Sequence, residues 1–424
     1  MPAIPAPATR KKGERAFLVG LALGAHPRSR TEESVEELGR LARSAGAHVV
    51  GYAVQERPRA DAATLIGRGK VAQVAALARD SGADLLVFDD ELGPAQQRNL
   101  EEAIGLKTLD RTQLILDIFA RRARTREGRL QVELAQLDYL LPRLAGRGVV
   151  LSRLGGGIGT RGPGETKLET DRRRIRQRIQ KVRREIEHVR RERRTRREAR
   201  RRRNAPVVAL VGYTNAGKST LFNALSSGGA AVSDQLFLTL DPLVRRVPLG
   251  GGREVMVVDT VGFIQKLPHA LVAAFRATLE EVAEADLLLH VVDASAPELD
   301  EREAAVVAVL REIGAAERPR VTVLNKADLA APERAAALTA ARPGGILVSA
   351  RTGKGLGDLR RAVASRLALE RRRVRLRFRA GERRAISGVY ASGRVLRHDV
   401  DGEEVTLQVE LAERDLERYR ERLR

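Results

Sequence analysis

The sequence predicts an α/β chain centred on a parallel sheet, on three observations. A continuous apolar run, Pro206-Val207-Val208-Ala209-Leu210-Val211, enters the loop Gly212-x-x-x-x-Gly217-Lys218-Ser219 and then a helical stretch, residues 220–225. Residues 15–123 alternate strand-like and helix-like segments, the pattern of stacked βα units. Between these regions, two stretches carry apolar residues at spacings of four and three, which predicts a pair of packed helices.

Taken in chain order, residues 1–14 have no apolar core region and read as a disordered tail rather than a signal peptide. Residues 16–23, 48–54 and 84–88 are predicted strands, with helices beginning near Thr31 and running over 94–104. Ile66-Gly67-Arg68-Gly69-Lys70 lacks the spacing of a phosphate loop. Its glycines are expected to shape a turn before a helix at Val71, with a second nucleotide site as the alternative reading.

Leu130, Leu134, Leu137, Leu141 and Leu144 form one seam, with Pro142 expected to kink or end that helix; Ile175, Ile179, Val182, Ile186 and Val189 form the other. Two matching seams predict an antiparallel hairpin. Its connection holds Gly155, Gly156, Gly157, Gly159, Gly162 and Gly164 beside Arg147, Arg153, Arg161 and Lys167; a probe whose backbone approaches RNA closely while cations meet phosphates is expected, with a purely disordered tip as the alternative. From Asp171 to Arg203 there are eighteen Arg or Lys against five acids. A solvated helical face mixes signs more evenly, so contact with RNA is expected here.

The loop from Gly212 to Ser219 sits between a strand and a helix, the context a phosphate-binding loop requires. Gly212 and Gly217 let backbone N–H groups converge on phosphates at a helix N-terminus. Lys218 is expected to reach the β- and γ-phosphates, and the Ser219 hydroxyl to ligate Mg²⁺. A second strand, 253–258, ends at Asp259-Thr260-Val261-Gly262, where a carboxylate can orient a Mg²⁺-bound water and the Gly262 N–H can sense a γ-phosphate. A third, 320–324, leads to Asn325-Lys326-Ala327-Asp328. Guanine presents two adjacent donors that one carboxylate accepts, whereas adenine would leave that charge unpaired, so the expected nucleotide is GTP. Ser349-Ala350 completes the set. Thr239, in the stretch 233–242, is expected to be the second protein ligand of Mg²⁺, ordered with the γ-phosphate and released on hydrolysis.

The residues expected round the nucleotide are therefore Gly212, Tyr213, Thr214, Asn215, Ala216, Gly217, Lys218, Ser219 and Thr220, then Phe237, Leu238, Thr239, Leu240 and Asp241. To these are added Asp259, Thr260, Val261 and Gly262, then Asn325, Lys326, Ala327 and Asp328, and finally Ser349, Ala350 and Arg351. Lys218, Asp259 and Gly262 are expected to carry catalysis. Phe263 stands where many GTPases have a water-orienting glutamine, so intrinsic hydrolysis is expected to be slow until a partner positions the water. Asn215 resembles the asparagine of potassium-activated GTPases, which makes K⁺ a second cation to test; a tolerant turn residue is the alternative.

With 424 residues the chain is long enough for several domains, and its net charge of +22 calls for a polyanionic partner. It has no cysteine, which excludes disulfides and thiolate metal sites and fits a reducing, cytoplasmic setting. Aromatic residues are only 3%, too few for base-stacking platforms, so the backbone of folded double-helical RNA is the expected ligand. After Arg371, alternation at Val374, Leu376 and Phe378 and at Val405, Leu407 and Val409, with a turn at Asp401-Gly402 and a helix from Glu413 to the end, predicts a small α+β module. The expected fold is α/β: a P-loop G domain (204–370) with an N-terminal α/β domain (15–124), an antiparallel helical hairpin (125–203) and a C-terminal α+β domain (371–424).

Several long motifs carry a family resemblance. They are Leu65-Ile66-Gly67-Arg68-Gly69-Lys70-Val71, residues 109–119, residues 159–171, residues 212–220, residues 234–242, and Asp259 to Phe263 followed by Leu267-Pro268-His269. With them the sequence resembles the HflX-type ribosome-associated GTPases of the Obg/HflX superfamily over nearly its whole length. The resemblance implies binding to the large ribosomal subunit and its rRNA as a monomer, and GTP-dependent separation of stalled or idle ribosomes, with the hairpin tip reaching toward the peptidyl-transferase region. An assembly or silencing factor, and an ATP-driven RNA remodeller acting through the N-terminal domain, are the competing expectations.

Overall fold

The computed structural model describes residues 13–24, 27–144, 163–201, 206–226, 236–237, 240–250, 253–266, 276–369 and 371–423. The predicted tail up to residue 12, the glycine-rich stretch 145–162, and Leu238 and Thr239 lie outside the described residues. The chain divides into two compact units: Met1–Glu192 with Val232–Asp241 and Val261–Thr278, and Arg193–Ala231 with Pro242–Thr260 and Leu279–Arg424.

In the first unit, β1 (Arg15–Leu23), α1 (Arg28–Ser44), β2 (His48–Arg57), α2 (Arg68–Asp80), β3 (Leu85–Phe88), α3 (Pro94–Ile104), β4 (Lys107–Asp110) and α4 (Arg111–Arg122) follow in sequence. The strands form a parallel sheet in the order β2-β1-β3-β4. β1 and β3 are apolar runs buried on both faces, which is why their sequences do not alternate. β4 is missing from the sequence expectation because its four residues, Lys107-Thr108-Leu109-Asp110, include only one apolar side chain. Pairing with β3 creates it. Helix α2 starts at Arg68 rather than Val71: Gly67, in extended backbone, is its N-cap and donates its N–H to Gln55 Oε1 at 2.9 Å.

A buried ionic cluster ties α1, β3 and α4 together. Arg111 is 2% exposed, and its guanidinium meets Asp89 Oδ1 at 2.7 Å and the Glu37 carboxylate. Ser34 Oγ donates to Asp89 Oδ2 at 2.7 Å, and Lys266 Nζ reaches the same oxygen at 2.5 Å and Asp90 at 2.7 Å. Burial alone would raise the Asp89 carboxyl, but Arg111 and then Lys266 outweigh it and hold it below the usual carboxylate range.

The helical hairpin is α5 (Arg126–Leu144) and α6 (Pro163–Arg201). Leu130, Val182 and Ile186 are buried between them, with Leu134, Leu137 and Val189 packed alongside, so the two predicted seams meet. Arg178 forks onto the Glu133 carboxylate at 2.5 and 2.8 Å, and Arg126 lies 3.8 Å from Glu185, an antiparallel register. Pro142 stays within the last turn of α5 rather than ending it early. Pro163 opens α6, the helical position whose missing N–H costs least, so Gly164 and Lys167 belong to helix and not to the connecting loop.

In the second unit, β5 (Val207–Val211), α7 (Lys218–Ser226), β6 (Leu243–Gly250), β7 (Arg253–Asp259), β8 (Leu287–Asp293), α8 (Leu299–Glu312), β9 (Arg320–Asn325), α9 (Pro332–Ala341), β10 (Ile346–Leu347) and α10 (Leu356–Arg366) build a six-stranded sheet in the order β10-β9-β8-β5-β7-β6. All pairings are parallel except β6 with β7. The chain order reverses between β5 and β8, and a crevice at such a reversal is where doubly wound sheets hold ligands.

The chain continues into β11 (Arg371–Arg379), α11 (Arg383–Ser392), β12 (Arg394–Asp401), β13 (Glu404–Ala412) and α12 (Glu413–Leu416). β13 is central in the antiparallel order β11-β13-β12, and Gly402 turns the β12–β13 hairpin at φ +58°. Leu376, Phe378, Val389, Val405, Leu407, Val409 and Leu411 are its core. The predicted terminal helix is shorter than expected: α12 gives way to 3₁₀ turns over Glu417–Arg422, where Tyr419 leaves helical angles to pack edge-on against Phe378 at 6.3 Å.

Candidate nucleotide site

The phosphate loop leaves the C-terminal end of β5 and enters α7. Two of its glycines are required by space as well as by angle. At Gly212 (φ +153°) a Cβ would lie 2.2 Å from the Val291 carbonyl oxygen, and at Gly217 (φ +88°) it would lie 2.3 Å from Asn325 Nδ2. Asn215 sits at the exposed tip with φ +61°, a left-handed angle that asparagine tolerates better than most residues. Lys218 is buried, and its Nζ donates to the Gly212 and Tyr213 carbonyls at 3.0 Å each. Burial drives its ammonium down to about 8, against a smaller opposing pull from Asp259.

Ser219 Oγ donates to Asp259 Oδ2 at 2.7 Å. A hydroxyl and a carboxylate converging at the end of a phosphate loop are hard oxygen donors of the kind Mg²⁺ takes, so the residues fit that ion. Thr260 turns away and donates to the Leu210 carbonyl at 2.6 Å, fixing the strand end from which Asp259 projects.

The base-side loops are joined to the phosphate side by Asn325. Its Nδ2 donates to the Ala216 carbonyl at 2.9 Å, and its Oδ1 accepts from the Ala350 N–H at 3.0 Å. One side chain thus holds three of the sequence motifs in register. Lys326 has φ +62° and extends to Asp293 Oδ2 at 2.8 Å. The Ala327 N–H donates to the Val348 carbonyl at 3.0 Å. Ser349 Oγ donates to Asp328 Oδ1 at 2.6 Å, while Arg351 lies 3.0 Å from Asp328 Oδ2. The Ser349 hydroxyl, followed by the Arg351 and Lys326 charges, keeps the Asp328 carboxyl below its ordinary range, ionised and acceptor-only. His290, on β8, is buried and driven down to about 3 by burial and then by the charges of Arg320, Lys218 and Arg342, so it stays neutral and supplies no proton near neutral pH.

Gly212 to Thr220, Asp259, Thr260, Asn325 to Asp328, and Ser349 to Arg351 all belong to the second unit. Phe237, Leu240, Asp241, Val261 and Gly262 belong to the first. There Phe237, with φ +57°, is buried and meets Phe119 edge-on at 4.7 Å. The Asp241 carboxylate accepts the backbone N–H groups of Arg124 and Thr125 at 2.9 Å, and the Thr125 hydroxyl in turn accepts from Gly128 N–H at 3.0 Å, capping α5. Phe263 is buried at 1% exposure and offers no polar atom to water. Asp293 escaped the sequence reading. It ends β8 in register with Asn325, so an acid closing the strand beside Asn-Lys-x-Asp was the available signal.

Family models described as the GTP-binding GTPase N-terminal region, the GTP-binding GTPase middle region and a 50S ribosome-binding GTPase match residues 32–120, 122–200 and 207–326. The chain is 47% identical over 407 residues to GTPase HflX of Caldanaerobacter subterraneus subsp. tengcongensis, covering 96% of this chain and 93% of that one. The chain belongs to the HflX family of GTPases. GTPase HflX of Escherichia coli K12 is 42% identical, over 89% of this chain and 88% of its own. A crystal structure of a GTP-binding protein from Sulfolobus solfataricus in complex with GDP is 25% identical over 84% of this chain and 98% of that chain, with a TM-score of 0.43. As an HflX-family member carrying a ribosome-binding type of GTPase domain, the chain is a GTP hydrolase. Among the described residues, no helix is long and apolar enough to cross a membrane.

Proposed function

We propose that the GTP-bound chain docks on the large ribosomal subunit through its basic hairpin and separates stalled or idle ribosomes into subunits, hydrolysis then releasing it as a monomer into the cytoplasm. The observation that carries the guanine part is Asn325, which ties the phosphate loop to the base loops while Asp328 is held ionised beside Ser349. In this reading Gly212 to Thr220 cradle the phosphates and Lys218 exchanges its two carbonyl partners for β- and γ-phosphate oxygens. Asp259 orients water, the Gly262 N–H senses the γ-phosphate, and Asp328 reads guanine with Asn325, Lys326, Ala327, Ser349, Ala350 and Arg351 around it. Ser219 and Thr239 would hold Mg²⁺, which supplies charge neutralisation at the β- and γ-oxygens. The 233–242 segment, with Thr239, closes over GTP and opens after hydrolysis.

For the ribosomal part, support comes from the family and from α6, whose basic residues outnumber acids on a helix long enough to span about 58 Å. The experiment is sedimentation of intact ribosomes with the chain under GTP, GDP or a non-hydrolysable analogue. Subunits accumulating with the analogue as with GTP, and not with GDP, support splitting by binding. Cosedimentation without splitting favours a silencing or assembly factor instead. Equal ribosome affinity with all three nucleotides sinks the reading.

A further inference from the structure

The outward face of the C-terminal sheet is an arginine surface that the nucleotide chemistry does not use. β11 reads Arg371-Arg372-Arg373-Val374-Arg375-Leu376-Arg377-Phe378-Arg379. The period of two sends Leu376 and Phe378 into the core, so Arg373, Arg375, Arg377 and Arg379 occupy the opposite face. Register extends that face across the sheet. Arg373 stands beside Glu410 and, beyond it, Arg394; Arg375 stands beside Gln408 and, beyond it, Arg397. With strands about 4.8 Å apart, these rows gather four arginines within about 10 Å across the sheet.

Glu410 is the one acid in these rows and lies 3.4 Å from Arg373. Arg397 is 2.8 Å from Asp399, in the next row. Among the described residues, Arg375 and Arg394 have no carboxylate within 4.0 Å. Arg373 and Arg397 expose 61% and 69% of their side chains, and Arg375 and Arg394 are exposed as well. The far end of the face is balanced instead, with Arg377 at 3.0 Å from Glu404 and Asp399 and Asp401 nearby in register. A merely solvated sheet face would mix signs along its length; this one segregates them. Its two arginine rows hold no aromatic residue, so bases have nothing to stack on, while guanidinium forks match phosphate oxygens.

We propose that this half-face, Arg373, Arg375, Arg394 and Arg397, is a docking surface for the phosphate backbone of double-helical RNA, separate from the basic hairpin. Full-length chain is titrated by fluorescence anisotropy against a mixed-sequence RNA duplex of about 16 base pairs over a salt series. Substituting Arg375→Gln with Arg397→Gln is expected to weaken binding about tenfold and to reduce the slope of log affinity against log salt by about two. Arg375→Lys with Arg397→Lys should keep most of the slope, and GTP hydrolysis without RNA should be unchanged in both. An unaltered affinity and slope in the glutamine variant overturns the proposal. So does a variant that loses binding to polyglutamate while holding RNA as before, which would mark the face as a protein-docking surface. The pair is repeated in a chain carrying Arg183→Gln and Arg184→Gln in α6. The same drop there supports the sheet surface whatever becomes of the hairpin; no drop there overturns it.

Discussion

At the scale of single residues, the site is governed by a few charges held by specific partners. Asp328 accepts from Ser349 and is held ionised, so Asp328→Asn replaces one acceptor by an amide N–H₂ that opposes the exocyclic amine of guanine. GTP affinity should fall by at least about a hundredfold, and xanthosine triphosphate, with a carbonyl where guanine has its amine, should bind better than GTP. Competition between the two nucleotides in an equilibrium binding assay checks this; undiminished GTP preference would remove Asp328 from base recognition. Lys218 gives a pH-dependent companion. Its folded value, lowered to about 8 from 10.5, means the nucleotide-free folded chain binds this proton less tightly than the unfolded chain. The resulting cost to stability is full below about 8 and is relieved as pH rises toward 10.5. Phosphates restore the charge, so GDP binding near pH 8.5 should take up a fraction of a proton. Calorimetry in two buffers of different ionisation enthalpy should show that uptake, and should show none at pH 6.5 or in Lys218→Met.

At the scale of elements, the hairpin seam and the Arg111 cluster of the first unit rest on different forces. α5 and α6 meet through aliphatic contacts centred on Val182, which is fully buried. Val182→Asp puts an unpaired carboxylate into that seam and should cost about 3 kcal/mol or more of hairpin stability. Hydrogen exchange should then speed up in α5 and α6 while β5 and α7 stay protected; uniform protection in the variant would mean that the seam holds nothing. The Arg111 cluster is ionic instead. Burial would raise the carboxyl of its partner Asp89, but the Arg111 and Lys266 charges hold it below the usual carboxylate range, so the stability it contributes is present above that range and is lost as pH falls below it.

At the scale of the whole molecule, the net charge of +22 calls for a polyanionic partner, proposed above to be rRNA. If phosphates dominate ribosome binding, affinity in the GTP state should fall by about a thousandfold or more between 50 and 200 mM salt. Pelleting assays across that range test it, and a flat response would assign the grip to protein contacts. Repeating turnover with Na⁺ in place of K⁺ addresses Asn215: identical rates leave it the turn residue that its left-handed backbone already suits.

Most of the candidate site was legible in the chain because its motifs are local: Gly212 to Ser219, Asp259 to Gly262 and Asn325 to Asp328 each sit at a strand end, and strand ends announce themselves as apolar runs. The hairpin was legible for a similar reason, since a seam is a period. The tertiary structure decided what depends on residues far apart. β4 exists only because β3 offers it a partner, and the Asp241 carboxylate is engaged by backbone donors at Arg124 and Thr125, more than a hundred positions away. Asp293 finds Lys326 across two parallel strands, and the arginines of β11 join Arg394 and Arg397 only through β13. Sequence fixes periodicity and short-range chemistry. Which distant charge stands opposite which is settled by packing alone, because side-chain pairing across a sheet depends on register that no single strand carries.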